Sequence, residues 1–286
     1  MHKDYSVFSE PIDAAIINSD SSQEYSLSAA QIADFQTDGF VVGQASISED
    51  YIARLLHDLT DLLTPDHVGK ELWHEYHINE STDPDTVLFH ALGAWRLRQS
   101  FHDLLWHPAI TTPAKQLLNA SVRFWHDQLF CKPARHGGVV AWHQDYSYWT
   151  RSGPMNHLTC WIALEDATID NGCIHYIKGS HQWDLLPITG LAGGMDSIRD
   201  VLSDDQAIAF QTPTPIELEA GQIVFHHPLT VHGSFENRTS RSRKATVVNL
   251  ISDGVTSQTN EPLLSGVPVI PKGEPIQGQF FPLLKG

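Results

Sequence analysis

The stretch AGQIVFHHPLTVHGSFENRTSRSRKATVVNLI (220–251) decides the fold. Short runs rich in Val, Ile, Phe and Thr are cut by Pro228 and by the polar run ENRTSRS (236–242). Such runs bounded by turn residues predict strands near 222–227, 230–235 and 244–251. The same texture extends upstream and predicts further strands near 121–131, 138–148, 157–166 and 173–178. Asn171-Gly172 marks a tight turn before the last of these. Upstream of residue 120 the pattern changes to helices. Ser28 to Gln31 form a capping box and Gly39 is a stop. Ser48 caps a second helix, with Ile52, Leu55, Leu56, Leu59, Leu62 and Leu63 on one stripe. Two more helices are expected at about 92–106 and 110–119, split by Pro108. Helices followed by many short strands imply a mainly β fold, an antiparallel double sheet or barrel braced by N-terminal helices. Residues 1–26 read as a polar tail, partly ordered or draped over the core. Residues 27–286 read as one domain, with helical support over 27–120, a barrel over about 121–255 and a C-terminal segment over 256–286. The irregular stretches 66–95 and 185–213 are candidates for loops covering the barrel mouth.

The 286 residues carry a formal charge of −16, which disfavours nucleic acid and anionic membrane surfaces as partners. No apolar run approaches the 18 residues or so that a membrane span needs. Cys131, Cys160 and Cys173 are odd in number, widely spaced and without a CxxC, so neither a disulfide framework nor a zinc ribbon is expected. The simplest reading is a cytoplasmic protein with reduced thiols. Histidine is abundant at 17 residues.

His143 and Asp145 fall two apart in an expected strand, so both side chains point to one face. An imidazole beside a carboxylate suits a first-row divalent metal. One more His completes the two-histidine, one-carboxylate triad of non-haem Fe(II) oxygenases, which leaves three coordination positions open. His-x-Asp alone is weak, because His2-Lys3-Asp4 has the same spacing, and an ordinary ion pair on a strand explains the residues equally. The second half of the pattern adds weight. His232 and Arg243 stand eleven apart across the turn ENRTSRS, on what read as adjacent antiparallel strands. His227 and Arg238 share that spacing; the later pair is preferred because both members fall in strands, with His226 and His227 as supporting imidazoles at a strand end. Arg presents a planar fork that matches a carboxylate, the group that a 2-oxoglutarate cosubstrate offers.

The chain resembles the phytanoyl-CoA dioxygenase family of Fe(II)- and 2-oxoglutarate-dependent oxygenases from about Leu27 to Phe280-Phe281-Pro282-Leu283-Leu284. The resemblance rests on SAAQIADFQTDGFVV (28–42), CKP (131–133) ahead of WHQD (142–145), DNGCIHYIKGSH (170–181, with Lys178 where Pro is usual) and the segment 220–243. It implies a double-stranded β-helix (a jelly-roll or cupin-like barrel), with His143, Asp145 and His232 as catalytic metal ligands and Arg243 on the distal carboxylate of 2-oxoglutarate. Trp161 matches a family Trp that lines this pocket. Gln128 and Lys132 flank the same region as candidates for cosubstrate contact, and Tyr146 and Trp149 as candidates for the substrate cleft. The implied cofactors are Fe(II), 2-oxoglutarate and O2, and the implied reaction is oxidation of a C–H bond of a small organic molecule. The carboxylate of Asp145 disfavours halogenation, which needs a small residue there. Two other classes share parts of the pattern. A cupin-like metalloprotein without O2 chemistry has no use for Arg243, and a non-catalytic binding barrel tolerates loss of a ligand.

Overall fold

The computed structural model describes residues 3–16 and 23–285. Six α-helices among them are α1 (Ala29–Asp38), α2 (Glu49–Leu62), α3 (Ala94–Leu97), α4 (Gln99–Leu104), α5 (Pro108–Leu118) and α6 (Asp204–Ala209). The strands are β1 (Phe40–Val42), β2 (Glu75–His77), β3 (Phe89–Leu92), β4 (Val122–Lys132), β5 (Val140–His143), β6 (Ser152–Gly153) and β7 (His157–Ala163). They continue with β8 (Ile174–Tyr176), β9 (Thr214–Ile216), β10 (Ile223–His226), β11 (His232–Ser234), β12 (Arg243–Ser252), β13 (Thr256–Ser257) and β14 (Leu283–Lys285). The large sheet runs β1-β10-β7-β12-β4-β3-β2, with β14 also on β4, and the small sheet runs β5-β11-β8-β9. The two form the expected barrel of antiparallel strands, a double-stranded β-helix.

Helices α1 and α2 begin where the capping signals put them. Ser28 and Gln31 close a reciprocal capping box, and Gly39 ends α1 at φ +87°. A side chain at Gly39 would meet the Thr230 hydroxyl at 2.5 Å, so this junction between α1 and β1 requires glycine twice over. Leu55, Leu59 and Leu62 of α2 are fully buried. Each such side chain contributes roughly 1.5–3 kcal/mol of transfer free energy. They join a core with Phe101, Leu104 and Ile110, against Phe124, Leu158, Cys160, Ile162, Phe225 and Leu250 of the large sheet. Because strand side chains alternate, the residues between these sheet positions face the barrel interior: Thr159, Trp161, Val224, His226 and Val247. One irregularity modifies the alternation. The β4–β12 register slips between Asn249 and Leu250, where His126 pairs with Asn249 and Phe124 with Leu250. This bulge leaves Trp125 unpaired, and Trp125 and His126 both reach the interior cavity.

Several expectations need correction. The 66–95 stretch is not all loop: β2 and β3 extend the large sheet. The helix expected at 92–106 is two short helices, α3 and α4, broken at the extended Arg98. Pro108 does mark the break between α4 and α5, but as the first residue of α5, where its missing N–H costs nothing. The strand expected over 138–148 ends at His143, and Asp145–Tyr148 is a 3-10 turn. The 185–213 stretch contains a 3-10 turn at Met195–Val201 as well as α6. Asn171-Gly172 does not close a two-residue hairpin, because β7 and β8 lie in different sheets. Likewise β11 and β12 are not neighbours: the ENRTSRS turn carries the chain from the small sheet to the large one. Residues 3–16 are draped over the helices. Asp103 accepts hydrogen bonds from the Ile12 and Asp13 amides at 2.8 and 3.1 Å, and Asp4 pairs with Arg96 at 2.6 Å. Of the expected tail over 1–26, residues 1–2, including His2, and 17–22 lie outside the described residues. Among the described residues no helix is long and apolar enough to cross a membrane. The three cysteines are buried and unpaired.

Candidate active site

The small sheet brings His143 and His232 together. β5 and β11 pair antiparallel with these two residues in direct register. Their rings lie 4.2 Å apart between centroids. Each ring is tethered at Nδ1 to the carbonyl two residues upstream: His143 to Ala141 at 2.7 Å and His232 to Thr230 at 2.9 Å. A carbonyl only accepts, so Nδ1 carries the proton in both rings and Nε2 presents its lone pair. Asp145 reaches the same point from the first turn after β5. Its Oδ1 lies 3.4 Å from His143 Nε2 and 3.6 Å from His232 Nε2. Divalent ions hold such donors at about 2.0–2.2 Å, which puts donors on neighbouring vertices about 3 Å apart, so the set closes on one ion with small side-chain movements. The three donors all lie within 4.8 Å of one another.

Burial by itself raises the Asp145 carboxyl, but the His232, His143 and His226 rings outweigh it and hold the group well below the usual carboxylate range. Burial, reinforced by His143 and His226, keeps the His232 ring well below its ordinary value and therefore neutral. An anionic carboxylate and neutral imidazoles are the protonation states that bind a metal.

Arg243 enters the same cavity from the opposite sheet. It opens β12, is 1% exposed and lines a cavity of about 390 Å³ together with the His/Asp/His group. Its Nη2 makes a long 3.4 Å contact with Ser234 Oγ of β11, across the barrel. Its Nε and Nη1 are buried with no hydrogen-bond partner. Its Cζ sits 5.5 Å from the centroid of the Trp161 ring, a cation–π distance. Burial lowers its pKa to about 10, so the guanidinium stays charged at neutral pH. A buried cation with two unused donors is costly unless a ligand supplies the acceptors.

The other candidates divide. Trp161, Gln128 and Trp149 line the cavity. Gln128 already bonds His90 at 3.2 Å and accepts from Asn249 at 3.0 Å, within a polar wall that continues to a Glu80–His90 contact of 2.6 Å. Lys132 is fully buried but does not face the cavity. Its amino group donates to the Ser234 and Phe235 carbonyls at 3.1 and 2.5 Å, stapling β4 to the end of β11. Tyr146 also misses the cavity; its hydroxyl donates to the Ser152 carbonyl, and Tyr148 takes the place expected of it. His227 turns outward to the Phe35 and His181 rings. Arg238 is exposed and pairs with Glu236. Residues that the sequence reading missed include Leu263 and Leu264, which close the cavity from the C-terminal segment, and Thr159. From the irregular stretches, Glu75, Glu80, His90, Leu92 and Leu191 contribute lining.

Comparison with known proteins agrees with this architecture. The chain has a fold similar to the non-haem, α-ketoglutarate-dependent carbocyclase SnoK from nogalamycin biosynthesis, with TM-score 0.73 at 23% identity over 91% of this chain and 97% of that one. It is similar to the epimerase SnoN, solved with Fe3+, α-ketoglutarate and nogalamycin RO, with TM-score 0.72 at 21% identity over 90% and 98% of the two chains. In sequence, it is 37% identical over 128 residues to an Arabidopsis thaliana phytanoyl-CoA dioxygenase, covering 41% of each chain. It is 30% identical over 166 residues to a probable phytanoyl-CoA dioxygenase of Caenorhabditis elegans, covering 54% of this chain and 51% of that one. The matches thus span about half the length of these curated relatives. The family model for phytanoyl-CoA dioxygenase (PhyH) matches residues 35–245, which include most of the strands, the His/Asp/His group and Arg243, and the chain belongs to that family.

Proposed function

We propose that this chain is an Fe(II)- and 2-oxoglutarate-dependent dioxygenase that oxidises a C–H bond of a small organic molecule, most simply by hydroxylation. The observation that carries the reading is Arg243: a buried guanidinium with two unpartnered donors, in the cavity that holds His143, Asp145 and His232. A metalloprotein without 2-oxoglutarate has no use for that charge, and a vestigial barrel has no reason to retain it beside an intact ligand set.

In this reading His143, Asp145 and His232 hold the iron, and Arg243 takes the distal carboxylate of 2-oxoglutarate in its planar fork. Trp161 lies at cation–π distance from the guanidinium and walls that side of it. Gln128 and the polar wall behind it bound the cosubstrate and substrate space. Bound iron, with 2-oxoglutarate and O2, supplies the oxidising power, with release of succinate and CO2. The protein's own residues orient these groups and exclude water, with Trp149, Leu191, Leu263 and Leu264 closing the apolar side. The Asp145 carboxylate fills the position that a halide would need, so the product is oxidised and unhalogenated. Residues 27–286 act as one functional unit, since the cavity draws on residues from Glu75 to Leu264.

The test is anaerobic titration of the Fe(II)-loaded protein with 2-oxoglutarate, followed by an aerobic metabolite screen read out as succinate. Saturable binding that requires Fe(II), and substrate-dependent succinate release, are expected. Binding of 2-oxoglutarate with no dependence on iron, or no binding at all, overturns the assignment.

A further inference from the structure

His226 is a buried imidazole of the cavity that this assignment leaves without a task. It is 1% exposed and projects inward from β10. Its Nε2 lies 2.9 Å from Asp145 Oδ2, and its Nδ1 lies 2.9 Å from the Tyr176 hydroxyl of β8. The large sheet aligns it: His226 pairs in register with Thr159 of β7, and the Thr159 hydroxyl donates to the same Oδ2 at 2.5 Å. The two carboxylate oxygens of Asp145 are therefore unlike. Oδ2 receives two hydrogen bonds from the large sheet, while Oδ1 faces the Nε2 atoms of His143 and His232 from the small sheet.

We propose that His226, fixed by Tyr176, is a positioning residue that makes Asp145 a one-oxygen metal ligand and so keeps three coordination positions open for cosubstrate and O2. The inference rests on the iron reading above. A carboxylate oxygen only accepts, so Nε2 of His226 carries the proton toward Asp145, and its Nδ1 lone pair is then the acceptor for the Tyr176 hydroxyl. The chain Tyr176–His226–Asp145 thus specifies one tautomer and one ring orientation. With Oδ2 engaged by two donors, only Oδ1 is available to an ion. A carboxylate free to rotate can instead chelate through both oxygens and occupy a position that 2-oxoglutarate needs. The hydrogen bonds that orient ligands around metal sites are typically worth 10–100-fold in metal affinity.

The test compares the full-length wild type with His226→Leu, His226→Gln and Tyr176→Phe, by Fe(II) affinity under anaerobic conditions and then by 2-oxoglutarate affinity of the iron-loaded proteins. Gln carries an amide N–H close to where Nε2 lies. His226→Leu is expected to lose about 10–100-fold in Fe(II) affinity, with weaker 2-oxoglutarate binding although Arg243 is intact. His226→Gln is expected to recover most of both, and Tyr176→Phe to fall between. Circular dichroism of the metal-free proteins establishes that each variant is folded; if His226→Leu is not, Tyr176→Phe decides. Wild-type affinities in a folded His226→Leu or in a folded Tyr176→Phe overturn the proposal. Failure of the wild type itself to bind Fe(II) overturns the iron assignment instead.

Discussion

Along β7 the two faces of one strand meet different surroundings. Leu158, Cys160 and Ile162 pack under α2, α4 and α5 in an apolar core. Thr159 and Trp161, one step away, face a cavity lined by histidines, carboxylates and a guanidinium. On the helix side, burial is the favourable term and few polar atoms are involved. On the cavity side, polar atoms are buried in numbers and some lack partners, notably Arg243 Nε and Nη1. The comparison teaches that one sheet separates stability from chemistry: its outer face supplies folding free energy, and its inner face holds groups that a ligand must complete. Substitutions on the two faces should therefore affect different measurements.

The largest expected effect is on the inner face. Asp145→Ala removes the only carboxylate of the ligand set, and succinate formation should fall by more than about 100-fold, beyond what loss of a supporting contact costs. The wild type assayed with excess chloride should give no chlorinated product. Full oxidation activity in Asp145→Ala, or halogenation by the wild type, breaks the assignment of that residue.

Arg243→Ala comes next. Leaving a bound carboxylate without its buried cation costs about 2–5 kcal/mol, so the affinity for 2-oxoglutarate should fall by roughly 30-fold or more. Arg243→Lys keeps the charge, loses the fork and should lie between. The ligand-free Arg243→Ala protein should unfold at no lower denaturant concentration than wild type, because the lost guanidinium had unsatisfied donors. Unchanged cosubstrate affinity would mean that another cation serves.

Leu59→Ala on the helix side is the mirror experiment. It should cost about 2–5 kcal/mol in chemical denaturation while the affinity for 2-oxoglutarate stays at the wild-type value. A large change in that affinity would show that the two faces are coupled.

The smallest expected effect is a pH dependence within the helical layer. His107 precedes α5, and its Nδ1 accepts the Ala109 amide N–H at 3.1 Å, so it caps the helix only when unprotonated. Burial lowers its pKa to about 4 from an ordinary 6.5. Between these values the unfolded chain binds more protons than the folded one. The contribution is full above pH 6.5 and is lost as pH falls through about 4, with an upper limit of about 3 kcal/mol. His107→Asn keeps a capping acceptor that does not titrate, so urea unfolding at pH 7 and pH 4.5 should differ less in the variant than in wild type. An identical pH dependence would assign the acid sensitivity to other buried histidines.

Much of this molecule was legible locally. Ser28, Gly39 and Ser48 bound their helices because capping is settled within one turn, by hydrogen bonds between residues three or four apart. The runs of β-branched and aromatic residues along β7, β10 and β12 marked strands because such side chains fit a pleated, buried surface. The chemical types of His143, Asp145, His232 and Arg243 suited a divalent metal and a carboxylate, but spacing alone did not choose His232 and Arg243 over His227 and Arg238; their place in strands and the resemblance to a family did. The tertiary structure decided what depends on pairing between distant segments. It put β11 and β12 in opposite sheets, so that Arg243 faces the His143/Asp145/His232 group across the barrel rather than along a hairpin. It used Lys132 on backbone carbonyls, and it turned Trp125 and His126 inward at a bulge in register. It also brought His226 to Asp145 across 81 residues of sequence. No local rule connects these residues, because strand register, and with it which atoms meet in the barrel, is set by the packing of the whole chain.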